Sequence, residues 1–314
     1  MEIRQLRYFV QIVESGSLLK ASRQIYVAQP ALSKQLANLE HEIGAPLLHR
    51  SSRGVVPTPS GRALYEHAKF LLRHMEQAIH AAREGSPASG MVSVGMSPAI
   101  TCVLGLPLLL HLRAAHPSIV LNVVEGLSGH LFDMARAGAL DIAILFEDNP
   151  ALGMSSTPLL VEELVLIIAA DSPLVAPGQT ELTVAEIARI PMVLATRAHW
   201  ARRYLEGELE RLQLQLQLVA EIDALPLTMA AVRQGVGATI QARAILLGER
   251  DPQAFRVVRL APTGLLRSSY LYGPTTAHQF PAATVVLAEI RKTVEHLVGD
   301  GTWQGVTLRH PPEE

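Results

Sequence analysis

Between Ser60 and Arg83 the apolar residues Leu64, Ala68, Leu71, Met75, Ala78 and Ala82 recur at alternating steps of four and three. That spacing draws one apolar seam along a single long helix, as in a coiled coil. A solitary helix with such a seam must bury it, on its own protein or on a second copy of itself. The seam also separates two stretches of different texture. After it, "EGSPASG" (Glu84 to Gly90) combines Gly, Ser and Pro and reads as a linker.

The stretch before the seam reads as short helices. Leu6, Phe9, Val10 and Val13 fall at helical spacing and the run stops at Gly16. Ser17 can cap a second helix with Leu18, Ala21 and Ile25 on its inner side. A tight turn at Val27 and Ala28 then leads into a third, in which Leu32, Leu36, Leu39 and Ile43 share one face and Gly44 ends the run. Pro30 suits the first turn of that helix, where its missing N–H has no partner to lose. Pro30, Lys34, Ala37 and His41 lie opposite the leucines, with Ser33 at the edge and Gln29 projecting from the N-terminus. Short polar side chains on a free face let a helix enter a DNA major groove, where Gln29 can bond a base edge. An ordinary solvated face is the competing reading. "HRSSRG" follows as a basic turn between two extended pieces, a winged arm that would set Arg50 and Arg53 beside the phosphate backbone or minor groove. Arg50 can equally pin the wing to the helices.

From Met91 onward strands and helices alternate: "MVSVG", a helix through "AITCVLGLPLLLHLRAAHP", "IVLNVVEG", "GHLFDMARAG" and "DIAILF" spell β-α-β-α-β. A second set runs from "ELVLIIA" to "GATIQ", then "FRVVRL", "SYLYG" and a closing helix from Ala282 to Leu297. The first set is the expected text of a parallel sheet, and two similar α/β units in tandem imply a cleft between them. Residues 299–314 show no pattern. Ser97 and Ser128 each stand where a strand ends and a helix begins, a place where a hydroxyl and free N–H groups cradle a carboxylate or phosphate. Plain helix capping is the alternative for both, and for Thr196.

Composition narrows the field. At 314 residues, 49% apolar and 18% charged, the chain has room for two or three domains with substantial cores. Residues 1–58 hold seven Lys/Arg against four Asp/Glu, net +3, and the rest holds twenty against twenty-five, net −5. A basic head on an acidic body points to a polyanion partner at the head. No signal peptide is legible in "MEIRQLR", and no apolar run reaches the roughly twenty residues that span a bilayer. Cys102 stands alone, which excludes an internal disulfide and a cysteine-based zinc cluster. "GMSPA" and "GLSGH" lack the second glycine of a nucleophile elbow, "GVGATI" lacks the third glycine of a dinucleotide loop, and the twelve histidines show no metal-ligand spacing. An enzyme is therefore not expected, and neither is a cofactor or a metal.

The stretch "FVQIVESGSLLKASRQIYVAQPALSKQLANLEHEIGAPLLHRSSRGVVPTPSG" resembles the winged helix-turn-helix of the LysR-type transcriptional regulators. The shared residues are Phe9, Gly16-Ser17, Ala21, Gln29 to Ser33, Leu39-Glu40, Gly44, Leu47, Arg50, Arg53, Thr58 and Gly61. The long helix and the tandem α/β units agree with the same family, so the resemblance covers nearly the whole chain. "RYFVQIVESGSL", "VAQPALS" and "LLHRSSRGVVPT" lean towards its nitrogen-assimilation-control branch. Departures are Ala28 where Ser or Thr is usual at the helix start, Lys20-Ala21-Ser22 for an alanine pair, and Leu48 for Phe.

The resemblance implies an α/β fold class: an N-terminal winged helix-turn-helix (1–59), a coiled-coil linker helix and hinge (60–90), and a two-lobed effector domain like a periplasmic binding protein (91–300). Lobe I would span about 91–162 and 267–300, lobe II about 163–266, with a tail at 301–314. It places Gln29, Pro30, Ser33, Lys34, Arg50, Arg53 and Thr58 at DNA, and the seam residues in a homodimer that doubles to a homotetramer. It places Ser97, Pro98, Ser128, Phe146, Thr196 and Arg197 at an effector cleft for a small anionic metabolite. Double-stranded DNA, a second copy of the chain, the effector and RNA polymerase are the implied partners, in the cytoplasm and without a membrane. A constitutive regulator with an empty cleft and a free solute-binding protein remain the alternatives.

Overall fold

The computed structural model describes the chain except for residues 52–53, 82–87, 198, 262–263, 276–279 and 310–314, and except for the side chains at 50–51, 73–74, 76–78, 80–81 and 151. Two compact units divide it, one of Met1–Ser86 with Ala137–Ala139 and the other of Pro87–Arg136 and Leu140–Glu314.

In the first unit α1 (Ile3–Ser15), α2 (Leu18–Gln24) and α3 (Gln29–Ile43) enclose a small core of Phe9, Ile12, Ala21, Leu32, Leu36 and Leu39. Ile43, grouped with the leucines by spacing, is instead exposed, because the helix ends at the left-handed Gly44 before its last turn meets the core. The turn between α2 and α3 hinges on Tyr26, a non-glycine residue at φ 55°. A left-handed conformation there costs roughly 1 kcal/mol. The wing is the antiparallel pair β1 (Leu48–Ser51) and β2 (Gly54–Pro57), and the Glu40 carboxylate accepts the Leu47 N–H at 2.8 Å to hold its root. α4 (Pro59–Ala81) then leaves the head. Leu64 and Tyr65 pack on the head core, and the Tyr65 hydroxyl donates to Glu14 at 3.2 Å.

The second unit is built on one large mixed sheet. Its strands and helices are β3 (Gly90–Met96), α5 (Pro98–Ile100), α6 (Leu106–Ala115), β4 (Ile119–Glu125), α7 (Ser128–Arg136), β5 (Ile142–Leu145) and β6 (Ser155–Ala169). There follow β7 (Glu181–Thr183), α8 (Val184–Ile187), β8 (Met192–Leu194), α9 (Trp200–Arg211), β9 (Leu218–Glu221) and α10 (Leu225–Arg233). β10 (Thr239–Ala242), β11 (Phe255–Ala261), β12 (Leu265–Gly273), α11 (Pro281–Gly299) and β13 (Val306–Leu308) complete the chain. The strand order is β4-β3-β5-β12-β6-β11-β7, with β10 and β13 also on β6, while β8 and β9 form a separate parallel pair. β3 is parallel to β4 and β5 as the pattern predicts, but β12, β11, β10 and β13 all run antiparallel to β6.

Two further departures have physical causes. The helix expected through "AITCVLGLPLLLHLRAAHP" is broken by a π turn at Thr101–Gly105, just before Pro107. A proline has no N–H for the carbonyl one turn back, and a wider turn absorbs the mismatch. Over Pro98–Ala115 the mean hydropathy reaches 1.5, so by length and composition this stretch passes for a membrane span, contrary to the sequence reading. Its Ile100, Val103, Leu104, Leu108 and Leu112 nevertheless form the lobe I core. The patternless C-terminal stretch also joins the fold: β13 pairs with β6 at Leu160–Glu162, and Trp303 is buried in the same core.

Close backbone approach makes one glycine indispensable. A Cβ on Gly61, in the first turn of α4, would stand 1.9 Å from the Leu47 carbonyl oxygen at the root of the wing. Gly61→Ala should cost roughly 2 kcal/mol or more by forcing the two backbones apart. Gly44→Ala meets nothing within 4 Å and should cost only about 1–2 kcal/mol for its left-handed backbone. Thermal unfolding compares the two, and equal midpoints would contradict the close approach.

Candidate nucleic-acid interface and ligand pocket

On α3 the structure leaves Gln29, Pro30 and Lys34 exposed together, with Ser33 half-buried at their edge. Ala28 gives the helix start no side-chain hydrogen bond, as its methyl group requires. Arg53 lies outside the described residues, and Arg50 is described only as backbone, in register with Val55. Thr58 does not belong with this set. It is 4% exposed, its hydroxyl donates to the Pro46 carbonyl at 2.7 Å and accepts the Gly61 N–H at 2.9 Å. It caps α4, and nothing of it is left for DNA.

The seam is also only partly free. Leu64 is taken up by the head core and Ala68 is fully buried within the chain, because the first half of α4 packs on α1. Leu71 is 44% exposed and Met75 half-buried, and Ile79, which the spacing left out, is exposed as well. The Ala78 side chain and Ala82 lie outside the described residues.

In the second unit a small solvent-open pocket of ≈ 20 Å³ is lined by Ser97, Pro98, His199, Asp223, Thr228 and Arg267. Ser97 is 2% exposed, and its hydroxyl caps nothing and has no hydrogen-bond partner. Ser128 is the first residue of α7, not its cap, and its hydroxyl is equally buried and unpartnered, while the preceding Leu127 lines the pocket. Capping therefore explains neither serine. Unsatisfied buried hydroxyls cost about 1–3 kcal/mol each unless something fills the role of partner.

Three other expected residues sit elsewhere. Thr196 is held by Asp223, which accepts its N–H at 2.8 Å and its hydroxyl at 3.2 Å. Arg197 is exposed and committed to Glu206, with Nε donating at 2.9 Å and Nη2 at 3.3 Å. It does not line the pocket. Phe146 is buried beneath Arg267, whose guanidinium carbon lies 3.6 Å from the ring centroid.

The residues that sequence reasoning missed are the chemically loaded ones. Arg267 on β12 is buried, donates to Glu162 on β6 at 2.5 Å, and keeps an unpartnered Nε. Nothing local marked it, because its partner lies 105 residues away. His199 caps α9, accepting the Ala201 N–H on Nδ1 at 3.3 Å. Burial, with the Arg267 charge second, pushes its pKa down to about 4.

The fold thus places a helix with a free polar face in one unit and a pocket with a buried cation in the other. Residues 3–62 match the bacterial regulatory helix-turn-helix family "lysR", and residues 85–295 match the LysR substrate binding domain. The chain is 36% identical over 242 residues to the nitrogen assimilation regulatory protein nac of Klebsiella aerogenes and of Escherichia coli K12, covering 76% of this chain and 78% of each relative. Full-length OxyR from Pseudomonas aeruginosa shares the fold with a TM-score of 0.71 at 20% identity, over 99% of both chains. CbnR, solved in full length with its target DNA, does so at 0.66 and 19% identity, over 94% of this chain and 99% of that one. The chain belongs to the LysR family. It is a DNA-binding transcriptional regulator with an effector domain, not an enzyme, and the two nac relatives support the branch to which its head leans.

A depressed histidine pKa has a definite consequence for stability. The unfolded chain takes up a proton on His199 near 6.5, whereas the folded chain resists until about 4. Stability from the neutral ring is therefore complete above about pH 6.5 and lost as pH falls towards 4, by up to roughly 3 kcal/mol. His199→Asn should flatten that part of the pH–stability curve in denaturant titrations. An equally steep fall in the variant would assign the acid loss to other groups.

Proposed function

We propose that this regulator reads its operator with the N-terminal part of α3 and is switched by a small carboxylate- or phosphate-bearing metabolite bound beside Arg267. The observation that carries the effector reading is the unpartnered Ser97 hydroxyl facing the same pocket as the buried Arg267. A ligand anion would supply the acceptor that the hydroxyl lacks and meet the guanidinium, whose own burial strengthens a charge-assisted bond. Ser97 and Leu127 belong to lobe I, whereas His199, Asp223 and Thr228 belong to lobe II. A ligand touching both would favour a closed arrangement about β6 and β12, a shift of population rather than a new fold. Thiol chemistry is a poor fit for the signal, since burial pushes the Cys102 thiol up and away from the reactive thiolate.

The domain limits that go with this reading are 1–59 for DNA, 60–90 for linker and pairing, and 91–300 for the effector domain. Gln29, Pro30, Ser33 and Lys34 are the proposed DNA contacts on α3, and Arg50 and Arg53 those on the wing. Pairing would use the second half of α4 through Leu71, Met75 and Ile79. Exposed Leu106, Leu109 and Leu110 on α6 and Leu227 on α10 support a second contact between effector domains, and so a tetramer. The setting is the cytoplasm, with RNA polymerase as the further partner at a promoter and nitrogen assimilation as the first pathway to examine.

Thermal shift against small carboxylates, amino acids, aromatic acids and sugar phosphates tests the effector. At least one anion should raise the unfolding temperature of the wild type and not of Arg267→Gln. Silence across the panel would leave a constitutive regulator.

Gln29→Ala should weaken operator binding by roughly 1–3 kcal/mol, the range for a base contact, without changing oligomeric mass. Leu71→Glu should lower mass and operator affinity together. Mobility shifts and light scattering read both, and binding should fall steeply as salt rises. A flat salt response or wild-type shifts from Gln29→Ala would remove α3 from the operator.

A further inference from the structure

We propose that the C-terminal segment from Asp300 to Leu308 is a structural arm of the ligand pocket, and that Trp303 is a positioning residue for Arg267, acting through Glu162. The proposal deepens the anion-pocket reading above and rests on it.

The register of the sheet creates the arrangement. Glu162 on β6 stands opposite Arg267 on β12 and opposite Val306 on β13, so it is the middle member of a three-strand row. One carboxylate oxygen accepts from Arg267 Nη2, and the other accepts the indole N–H of Trp303 at 3.4 Å. Glu162, Arg267 and Trp303 are each only 2% exposed. A carboxylate at that depth needs donors on both oxygens, because water is not there to supply them. Its terminal torsion is also soft, with a broad range of allowed angles. With the indole gone, the carboxylate can turn, and the guanidinium it holds turns with it. Arg267 has little else to fix it: the Phe146 ring lies beneath it and its Nε has no partner.

The arm is firmly tied. Gly301 and Gly305 take left-handed turns at φ 78° and 74°, which bring the chain back onto β6. The Trp303 N–H donates to the Leu297 carbonyl at 2.7 Å, the Glu163 N–H to Gly305 at 2.8 Å, and the Arg309 N–H to Leu159 at 2.9 Å. Residues matched to the substrate binding domain end at 295, so this support for the pocket comes from beyond the matched part. A tryptophan whose only task is to fill the core needs its ring. The relay needs its N–H.

Full-length protein carrying Trp303→Phe, which keeps a ring and removes the N–H, separates the two. Glu162→Gln, which keeps the volume, is the second variant should Trp303→Phe not fold. The first readout needs no ligand: the His199 ring is titrated by isotope-edited NMR, because the Arg267 charge helps to hold its pKa down to about 4. Trp303→Phe should raise that pKa, as should Arg267→Gln, whereas Glu162→Gln, which leaves the Arg267 charge uncompensated, should lower it further. The second readout is affinity for inorganic sulfate by calorimetry, expected to fall roughly three- to tenfold in Trp303→Phe, the worth of one hydrogen bond. A His199 titration unchanged from wild type in the variant that folds overturns the relay. Sulfate binding that is absent from the wild type, or that survives Arg267→Gln, overturns the anion pocket instead, and the His199 titration still decides the role of Trp303.

Discussion

Both lobes of the effector domain hang on β6. Its fifteen residues run unbroken from Ser155 to Ala169, pairing at one end with β12 beside the lobe I strands and at the other with β11 and β10 of lobe II. A strand shared in this way cannot be altered in one lobe without consequence in the other. It is buried along most of its length, and Leu159, Leu160 and Leu164 to Ile168 feed two hydrophobic cores. The two charged residues that meet at its middle, Glu162 and Arg267, are consequently denied water and must satisfy each other. That ion pair holds a cation at the pocket, over the Phe146 ring and beside the strand on which the chain returns.

The pocket gains its chemical character from incomplete satisfaction. Buried polar groups in folded proteins nearly always find partners, yet among the described residues the Ser97 hydroxyl and the Arg267 Nε do not. Asp223 and His199 complete the polar wall. The first binds back to Thr196 and shapes the loop, and the second is held neutral by its surroundings. The head shows the opposite economy. Its core is small, its turn accepts a left-handed tyrosine, and Thr58 and Glu40 spend their oxygens on the backbone at the wing's root. What is left over on α3 is a short polar face.

How far the sequence could be read depended on the range of the interactions. Helical spacing located the three head helices and the long helix, because that pattern repeats every three or four residues, and a basic turn between two extended pieces marked the wing. The lobe I strands were legible as short apolar runs alternating with helices. Thr58 was misread because a motif records that a residue recurs, not whether its oxygen is turned inward. Arg197 does not line the pocket although Ala195 and His199, two residues to either side, do, because its own side chain turns to Glu206, nine residues on. Leu64 and Ala68 fit a seam by spacing, but spacing cannot say which surface covers it. In the body the antiparallel pairing of β10, β11, β12 and β13 with β6 is not legible, since a buried strand reads as an apolar run in either direction.

Sequence alone determined the class of this protein: a basic helix-turn-helix head, a long apolar-striped helix and an α/β body without catalytic or metal-binding motifs. These are local properties, carried by periodicity, caps and turns, and they survive without knowledge of the fold. Only the tertiary structure decided what the body can hold. Arg267, Glu162, Phe146 and Trp303 are spread over more than half of its length and meet solely because β6 lies between β12 and β13. No short-range pattern encodes such a meeting, because the energy that enforces it comes from burying the sheet as a whole.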